Sequence, residues 1–268
     1  AKGLGPVIED YAPENIKPVI QAIEDLLPVY QAIKQTRETL PKEKSLIGFA
    51  GGVWTLIYYM LGGKRDKAEI KVRSLVYNAH KFITDLKNTL TEAVKLHLEQ
   101  QIIAGCDTVQ IFDSWSDALP YTLWQEYIID PTQEIVRYIK SKYPHIMIIG
   151  FPRGAGVRLE SYINTGVDVI GCDWQTSPQW IASNIANKIM VQGNLDPAIL
   201  LTNEVTLAQH LDLIHANFSG KPFIFNLGHG IDQHTPLEMV YELVEKVVKT
   251  IDDKLGQDIV VLDLKDLT

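Results

Sequence analysis

The chain has 268 residues, 46% of them hydrophobic, which is enough for a large core and points to one domain spanning residues 1–268. A net charge of −8 and a pI near 5.4 argue against nucleic acid as the main partner, without bearing on a local cationic pocket. No run approaches the roughly 18 apolar residues of a membrane span, and the start "AKGLGPVIED" lacks a signal-peptide pattern. Cys106 and Cys172 form no CxxC pair. A cytoplasmic protein with no disulfide framework is expected.

In chain order, a Gly/Pro-rich start leads into a helical pattern over 15–40. Short apolar runs rich in Ile and Val then recur at 45–52, 107–114, 145–154, 168–174, 188–197 and 222–230, each closing on Gly, Asp, Ser or Pro. They are too short for buried helices and do not alternate strictly with polar residues, as expected of strands covered on both faces. Between and after them, 83–105, 133–143, 159–166, 177–188, 207–218 and 236–255 space their apolar residues three and four apart, as helices do. Strand followed by helix, repeated, means a parallel α/β fold. With no dinucleotide-binding glycine fingerprint, the pattern favours a closed (β/α)8 barrel over an open sheet. Only six strand units are found where a barrel has eight. A unit takes about 30 residues or more, so the first one or two units are expected to lie ahead of Ala1. The tail "GQDIVVLDLKDL" alternates like an edge or surface strand, and 256–268 is set apart as a C-terminal extension.

In such a barrel, chemistry gathers at the C-terminal ends of the strands. Those ends supply Phe49, Gly51, Asp113, Ser114, Arg153, Asp173, Trp174, Asn194, Asp196 and His229, and the loop after Ala50 adds Tyr58 and Tyr59. If that loop is extended, the two tyrosines point opposite ways and one faces the pocket. Their convergence on one rim is the functional expectation. Each residue also has a purely structural role open to it. Ser114 suits a cap on the segment after its strand. Asp113 suits a tight turn, accepting from backbone amides, and Asp196 the turn in "GNLDP". Arg153, between Pro152 and Gly154, is better placed for an anionic ligand than as a surface cation. His229 stands between Gly228 and Gly230, in a loop that needs glycine or in one that presents an imidazole to a ligand.

Three other chemistries fail on spacing. Without a GxSxG elbow, Ser114, Asp196 and His229 make a poor hydrolase triad. There is no HExxH, and His210 and His215 are five apart on a helix and miss one face. No glycine-rich loop precedes Lys-Ser/Thr, which argues against a nucleoside triphosphate.

Five blocks, "LIGFAGGVWTLIYYMLGG", "AGCDTVQIFDSWSDAL", "DVIGCDW", "VQGNLDP" and "FNLGHGIDQHTPLE", resemble the uroporphyrinogen decarboxylase family in order and spacing, from near Gly5 to about Asp253. The resemblance implies a cofactor-free, metal-free (β/α)8 carboxy-lyase of haem biosynthesis, commonly a homodimer. Such an enzyme converts uroporphyrinogen III to coproporphyrinogen III by removing four acetate carboxyl groups. It also implies substrate contacts: the family's pocket tyrosine falls on Tyr59, its strand-end hydroxyl on Ser114, its basic residue, usually lysine, on Arg153, and its histidine on His229. The glycines beside His229 would let backbone and ring approach a flat macrocycle.

The family's "MRQAGR" motif, with its carboxylate-binding arginines, and its pyrrole-binding aspartate do not occur in these 268 residues. No catalytic residue is therefore assignable here, and the 268-residue form alone is expected to be inactive. One alternative is a cobalamin-dependent methyltransferase-like barrel, which would need a zinc site. Cys172 sits at a strand end, but Ile170 breaks the His-x-Cys pattern. The other alternative is a catalytically inactive relative acting as a binding partner.

Overall fold

A computed structural model describes residues 16–62, 68–78 and 80–254. The chain divides into two compact units, Ala1–Asp168 and Val169–Thr268. The proposed 256–268 extension and the Gly/Pro-rich start lie outside the described residues.

In the first unit, helices α1 (Val19–Asp25) and α2 (Leu27–Thr39) lead into strand β1 (Ile47–Gly51). Helices α3 (Val53–Met60), α4 (Ala68–Asn78) and α5 (His80–Ala104) follow, then β2 (Thr108–Asp113). A short helix α6 (Tyr121–Trp124) runs through a widened π turn (Gln125–Ile129) into α7 (Asp130–Lys142). Pro131 accounts for the widening, because it has no N–H to donate and its ring crowds the carbonyl four residues back. Strand β3 (Met147–Pro152) and helix α8 (Leu159–Tyr162) complete the unit.

The strands β1, β2 and β3 pair in parallel in sequence order, with Gly51 opposite Phe112 and Phe112 opposite Phe151. One face of this sheet is closed by helices. Val109, Ile111 and Ile148 are at most 1% exposed there, with Leu86 and Leu98 of α5 and Ile135 and Ile139 of α7 fully buried in the same layer. Helix α5 lies close because Gly48 has no side chain, and a Cβ there would come within 2.8 Å of Gln101 Oε1. The buried Gln101 carboxamide accepts from Phe49 N–H and donates to Phe49 C=O, both at 2.9 Å. It thus gives β1 the two bonds a neighbouring strand would give.

The segment expected as a loop with extended tyrosines is helix α3. Trp54, Ile57, Tyr58 and Leu61 recur at helical spacing and are at most 1% exposed. Tyr58 and Tyr59 therefore diverge by roughly 100° rather than by the half-turn of a strand. Tyr58 enters the core and Tyr59 stays half-buried. Helix α4 was not among the helical patterns expected from the sequence, since its apolar residues do not keep to one face: Val72 and Val76 are buried while Ile70 and Tyr77 are exposed.

The second unit holds β4 (Val169–Gly171), α9 (Pro178–Asn184), β5 (Met190–Leu195), α10 (Glu204–Phe218), β6 (Phe223–Leu227) and α11 (Leu237–Lys254). Its strands are also parallel and in sequence order. Asn203 caps α10, its Oδ1 accepting from the N–H groups of Val205 and Thr206 at 3.1 and 3.0 Å. Phe218 stacks on Phe223 at 4.3 Å, fixing the end of α10 against the start of β6. Six parallel strands among the described residues, each followed by helix, are the strand–helix units of a (β/α)8-type barrel, two fewer than a complete one.

Outside the sheet, α5 and α7 are joined by a buried carboxylate. Glu99 accepts from the Tyr138 hydroxyl, from Lys142 Nζ at 2.9 Å and from the Tyr143 hydroxyl at 3.2 Å. Burial raises its carboxyl, but these three donors outweigh it and hold the group below its ordinary value. Replacing Glu99 with Ala leaves those donors without their shared acceptor. The expected cost is about 2 kcal/mol in denaturant unfolding, and an unchanged midpoint would show that the network contributes nothing.

Candidate active site

In the first unit, strand register and alternation sort the strand-end residues onto two faces. Phe112 is half-buried, Asp113 buried and Ser114 half-buried; Phe151, Pro152 and Arg153 repeat that order. Ser114 and Arg153 thus continue the open face that carries Phe112 and Phe151. Phe49 lies one pair further in on that face, 61% exposed, its ring 6.0 Å from that of Phe112. The result is an apolar floor of phenylalanines with a hydroxyl and a guanidinium at its rim. Phe49 was expected at this rim from its strand-end position; Phe112 and Phe151 were not. Their signal was present: in "FDS" and "FPR" a phenylalanine stands two residues before each rim residue.

The rim is tied together through its backbone. Arg153 N–H donates to Asp113 O at 3.1 Å, and Arg153 Nη1 to Ser114 O at 3.4 Å. The Ser116 hydroxyl donates back to Arg153 O. Gly154, at φ +72°, lies where a Cβ would come within 2.6 Å of Asp117 Cβ, so only glycine lets the two loops meet. Ser114 does not cap the turn that follows, whose N-cap is Trp115.

Tyr59 reaches the same place from α3. Its ring stands edge-on to Trp115 at 6.1 Å, while Tyr58 stacks on Trp115 at 4.5 Å and Trp54 Nε1 donates to Trp115 O at 2.8 Å. Burial first, then the nearby Glu69 and Asp117 charges, push the Tyr58 hydroxyl up to about 12. Tyr58 is thus a neutral core residue, leaving Tyr59 as the half-buried one of the pair. Tyr59 thus packs on the Trp115 ring, and Arg153 bonds the Ser114 carbonyl just before it.

His229 belongs to the second unit, where its ring stands edge-on to Trp174 at 5.9 Å. A Cβ on Gly228 would come within 2.5 Å of Trp174 N, so glycine is what lets the end of β6 lie against the end of β4. The β4 end is itself held by Asn194, whose Nδ2 donates to Asp173 O at 2.9 Å and Thr176 O at 2.8 Å. Asp196 accepts from Ala198 N–H at 2.9 Å, the structural role open to it from its sequence. Burial, and to a lesser degree Asp173, push the Cys172 thiol far above its ordinary value, so it is a packed thiol and no thiolate ligand. Among the described residues no group of three or more His, Cys, Asp or Glu is placed to hold a metal ion, and no helix is long and apolar enough to cross a membrane.

A sequence model of the uroporphyrinogen decarboxylase family matches residues 1–250. The chain belongs to that family. It is 36% identical over 245 residues to the uroporphyrinogen decarboxylase of Rhizorhabdus wittichii, covering 91% of this chain and 70% of that protein. It is 45% identical over 227 residues to that of Orientia tsutsugamushi, covering 82% and 65%. The chain thus spans about two thirds of the length of the curated relatives it matches. Among solved structures it resembles a methyltransferase from Methanosarcina mazei, with a TM-score of 0.71 at 18% identity over 84% of this chain and 65% of that one. It also resembles a putative vitamin-B12 independent methionine synthase from Listeria monocytogenes, with a TM-score of 0.60 at 15% identity over 86% and 70%. At those identities the likeness is one of fold.

Asp113 is a strand-end carboxylate on the helix-covered face, 1% exposed. Burial raises its carboxyl from 3.8 to about 6, against the bonds from Thr55 that lower it. Because the folded value exceeds the unfolded one, the fold holds this proton more tightly than the unfolded chain does. That stabilisation is complete below about pH 4 and is lost as the pH rises through about 6, a loss of roughly 3 kcal/mol. Asp113→Asn removes the ionisation. The stability of the wild type relative to D113N should fall by that amount across this window, and parallel pH curves for the two would show that Asp113 does not titrate there.

Proposed function

We propose that this protein is a uroporphyrinogen decarboxylase, removing the four acetate carboxyl groups of uroporphyrinogen to give coproporphyrinogen in tetrapyrrole biosynthesis. The observation that supports the reading, beside family membership, is the pairing of a cationic, hydroxylated rim with a phenylalanine floor: Ser114 and Arg153 follow two residues after Phe112 and Phe151, and Tyr59 packs edge-on against Trp115. A flat, apolar macrocycle bearing carboxylates on its edge needs that combination.

The chemistry requires an electron sink. Loss of CO2 from an acetate leaves an electron pair on the methylene carbon. A pyrrole protonated at the ring carbon bearing the acetate can accept the pair; a proton then replaces CO2 on the side chain, and the ring carbon gives its proton back, restoring the pyrrole. The substrate supplies its own sink, so no cofactor is called for. The protein must hold carboxylates with cations and hydroxyls, and stabilise the pyrrolic cation with a carboxylate. We assign substrate binding to Tyr59, Ser114 and Arg153, and separately to His229, whose imidazolium form a nearby substrate carboxylate would favour. The arginine-rich motif and the pyrrole-binding aspartate implied by the family resemblance do not occur among these 268 residues. A homodimer in the cytoplasm is the working arrangement.

The zinc-dependent methyltransferase alternative is disfavoured by Ile170, where the pattern needs histidine, and by the buried, protonated Cys172. The deciding experiment is a decarboxylation assay, with products resolved by the number of carboxyl groups remaining. The protein expressed from its complete coding sequence should convert uroporphyrinogen to coproporphyrinogen, and the 268 residues alone should not. Arg153→Ala and Tyr59→Phe should each raise KM about tenfold, the cost of a charge-assisted contact or a good hydrogen bond. Full activity from the short chain would overturn the part given to the missing motifs, and turnover by neither would overturn the reading itself.

A further inference from the structure

We infer that Asp113 is a positioning residue for substrate binding, tying the helix that carries Tyr59 to the strand ends that carry Ser114 and Arg153. The inference rests on the function proposed above and deepens it.

Asp113 ends β2, immediately before Ser114. Its side chain points away from the open face, so it is no substrate ligand. Its Oδ1 accepts from Thr55 N–H at 3.1 Å, in the first turn of α3. Its main-chain oxygen accepts from Arg153 N–H at 3.1 Å. One residue therefore bonds to both elements that bring the other rim side chains into place. Gly52 makes room for it, since a Cβ there would overlap the carboxylate. Thr55 N–H is one of the donors that a helix leaves without an internal partner, and negative charge at that end favours the helix dipole.

The bond acts with a second anchor on the same helix. Trp54 Nε1 donates to Trp115 O, and Tyr58 stacks on the Trp115 ring. Trp115 is held by side chains of α3, while Asp113 holds the backbone of α3. Together they remove sliding and rotation of the helix against the end of β2. Tyr59 lies one turn beyond Thr55, so freedom at the helix start becomes displacement of its hydroxyl relative to Ser114 and Arg153. A displacement of about 1 Å is enough to spoil a pre-arranged site.

The test compares Asp113→Ala, Asp113→Asn and Glu99→Ala in the protein expressed from its complete coding sequence. Steady-state decarboxylation of uroporphyrinogen is read together with hydrogen exchange of the α3 amides. D113A should raise KM about tenfold with a smaller change in kcat, and speed α3 exchange at least about tenfold. D113N keeps the Oδ1 acceptor and should restore KM to within about threefold of wild type. E99A, which loosens the α5–α7 layer instead, should lower thermal stability and leave KM unchanged. If D113A does not fold, Asp113→Ser takes its place, because the shorter hydroxyl cannot span to Thr55. Faster α3 exchange with an unchanged KM, or the same rise in KM from E99A, overturns the positioning role and leaves the proposed function standing. A wild type without turnover overturns the proposed function, and the role of Asp113 with it.

Discussion

A carboxylate shut away from water and held by a backbone N–H sets the geometry of the first unit. A buried charge is costly unless bonded; Asp113 Oδ1 accepts from Thr55 N–H, Oδ2 has no hydrogen-bond partner among the described residues, and Gly52 clears the space the carboxylate occupies. What the arrangement gives in return is a fixed junction. Strand β2 cannot shift without moving α3, and β3 is bonded to the same residue through Arg153 N–H. The polar residues that face the open side are thus located by one that faces the helices.

The second unit solves the same problem with other residues. Asn194 donates both its amide hydrogens to carbonyls of the β4 end, fixing the loop from Asp173 to Thr176. Trp174, within that loop, takes the His229 ring on its edge, and Gly228 lets the two strand ends approach. In both units a strand-end side chain bonds a neighbouring backbone, a tryptophan next to the first anchored residue receives an aromatic ring, and a glycine clears the approach. Asp113 with Gly52 and Trp54, whose ring meets Tyr127 edge-on, has its counterpart in Asn194 with Gly228 and Trp174. The parallel is one of parts rather than of sequence, and it follows from a shared need: loops at the C-terminal ends of parallel strands have no neighbouring strand to pair with.

Much of this was legible before any coordinates. The six strands fall within the six apolar runs, because a strand covered on both faces announces itself by Ile and Val. Arg153, expected at a strand end from its place between proline and glycine, does follow β3 directly. Two features were not. The run "WTLIYY" is so apolar that composition alone cannot separate a helix from an extended loop, and the assignment depends on Trp54, Ile57, Tyr58 and Leu61 being read at helical spacing. The part played by Asp113 was seen only as acceptance of backbone amides in a tight turn. Which amide it accepts from depends on α3 folding back over β2, a contact between residues 58 apart in sequence that no local pattern encodes.

If the substrate carries its own electron sink, the protein's contribution to the rate is mainly one of placement: reacting carbon, proton and carboxylates held in one geometry while the bond breaks. Such a site tolerates looseness poorly, since placement is then what supplies the rate. That demand accounts for the bonds spent behind the rim. It also accounts for Phe49, left 61% exposed on that face beside Phe112. Exposed phenylalanine is unfavourable in the free protein by roughly 1.5–3 kcal/mol relative to burial, and a macrocycle laid against it would recover that energy. Ground-state affinity for the ring then comes from the floor, leaving the rim free to discriminate among carboxylates. On this view the floor fixes how tightly any tetrapyrrole binds, and the rim, held by Asp113, fixes which of its side chains is presented for reaction.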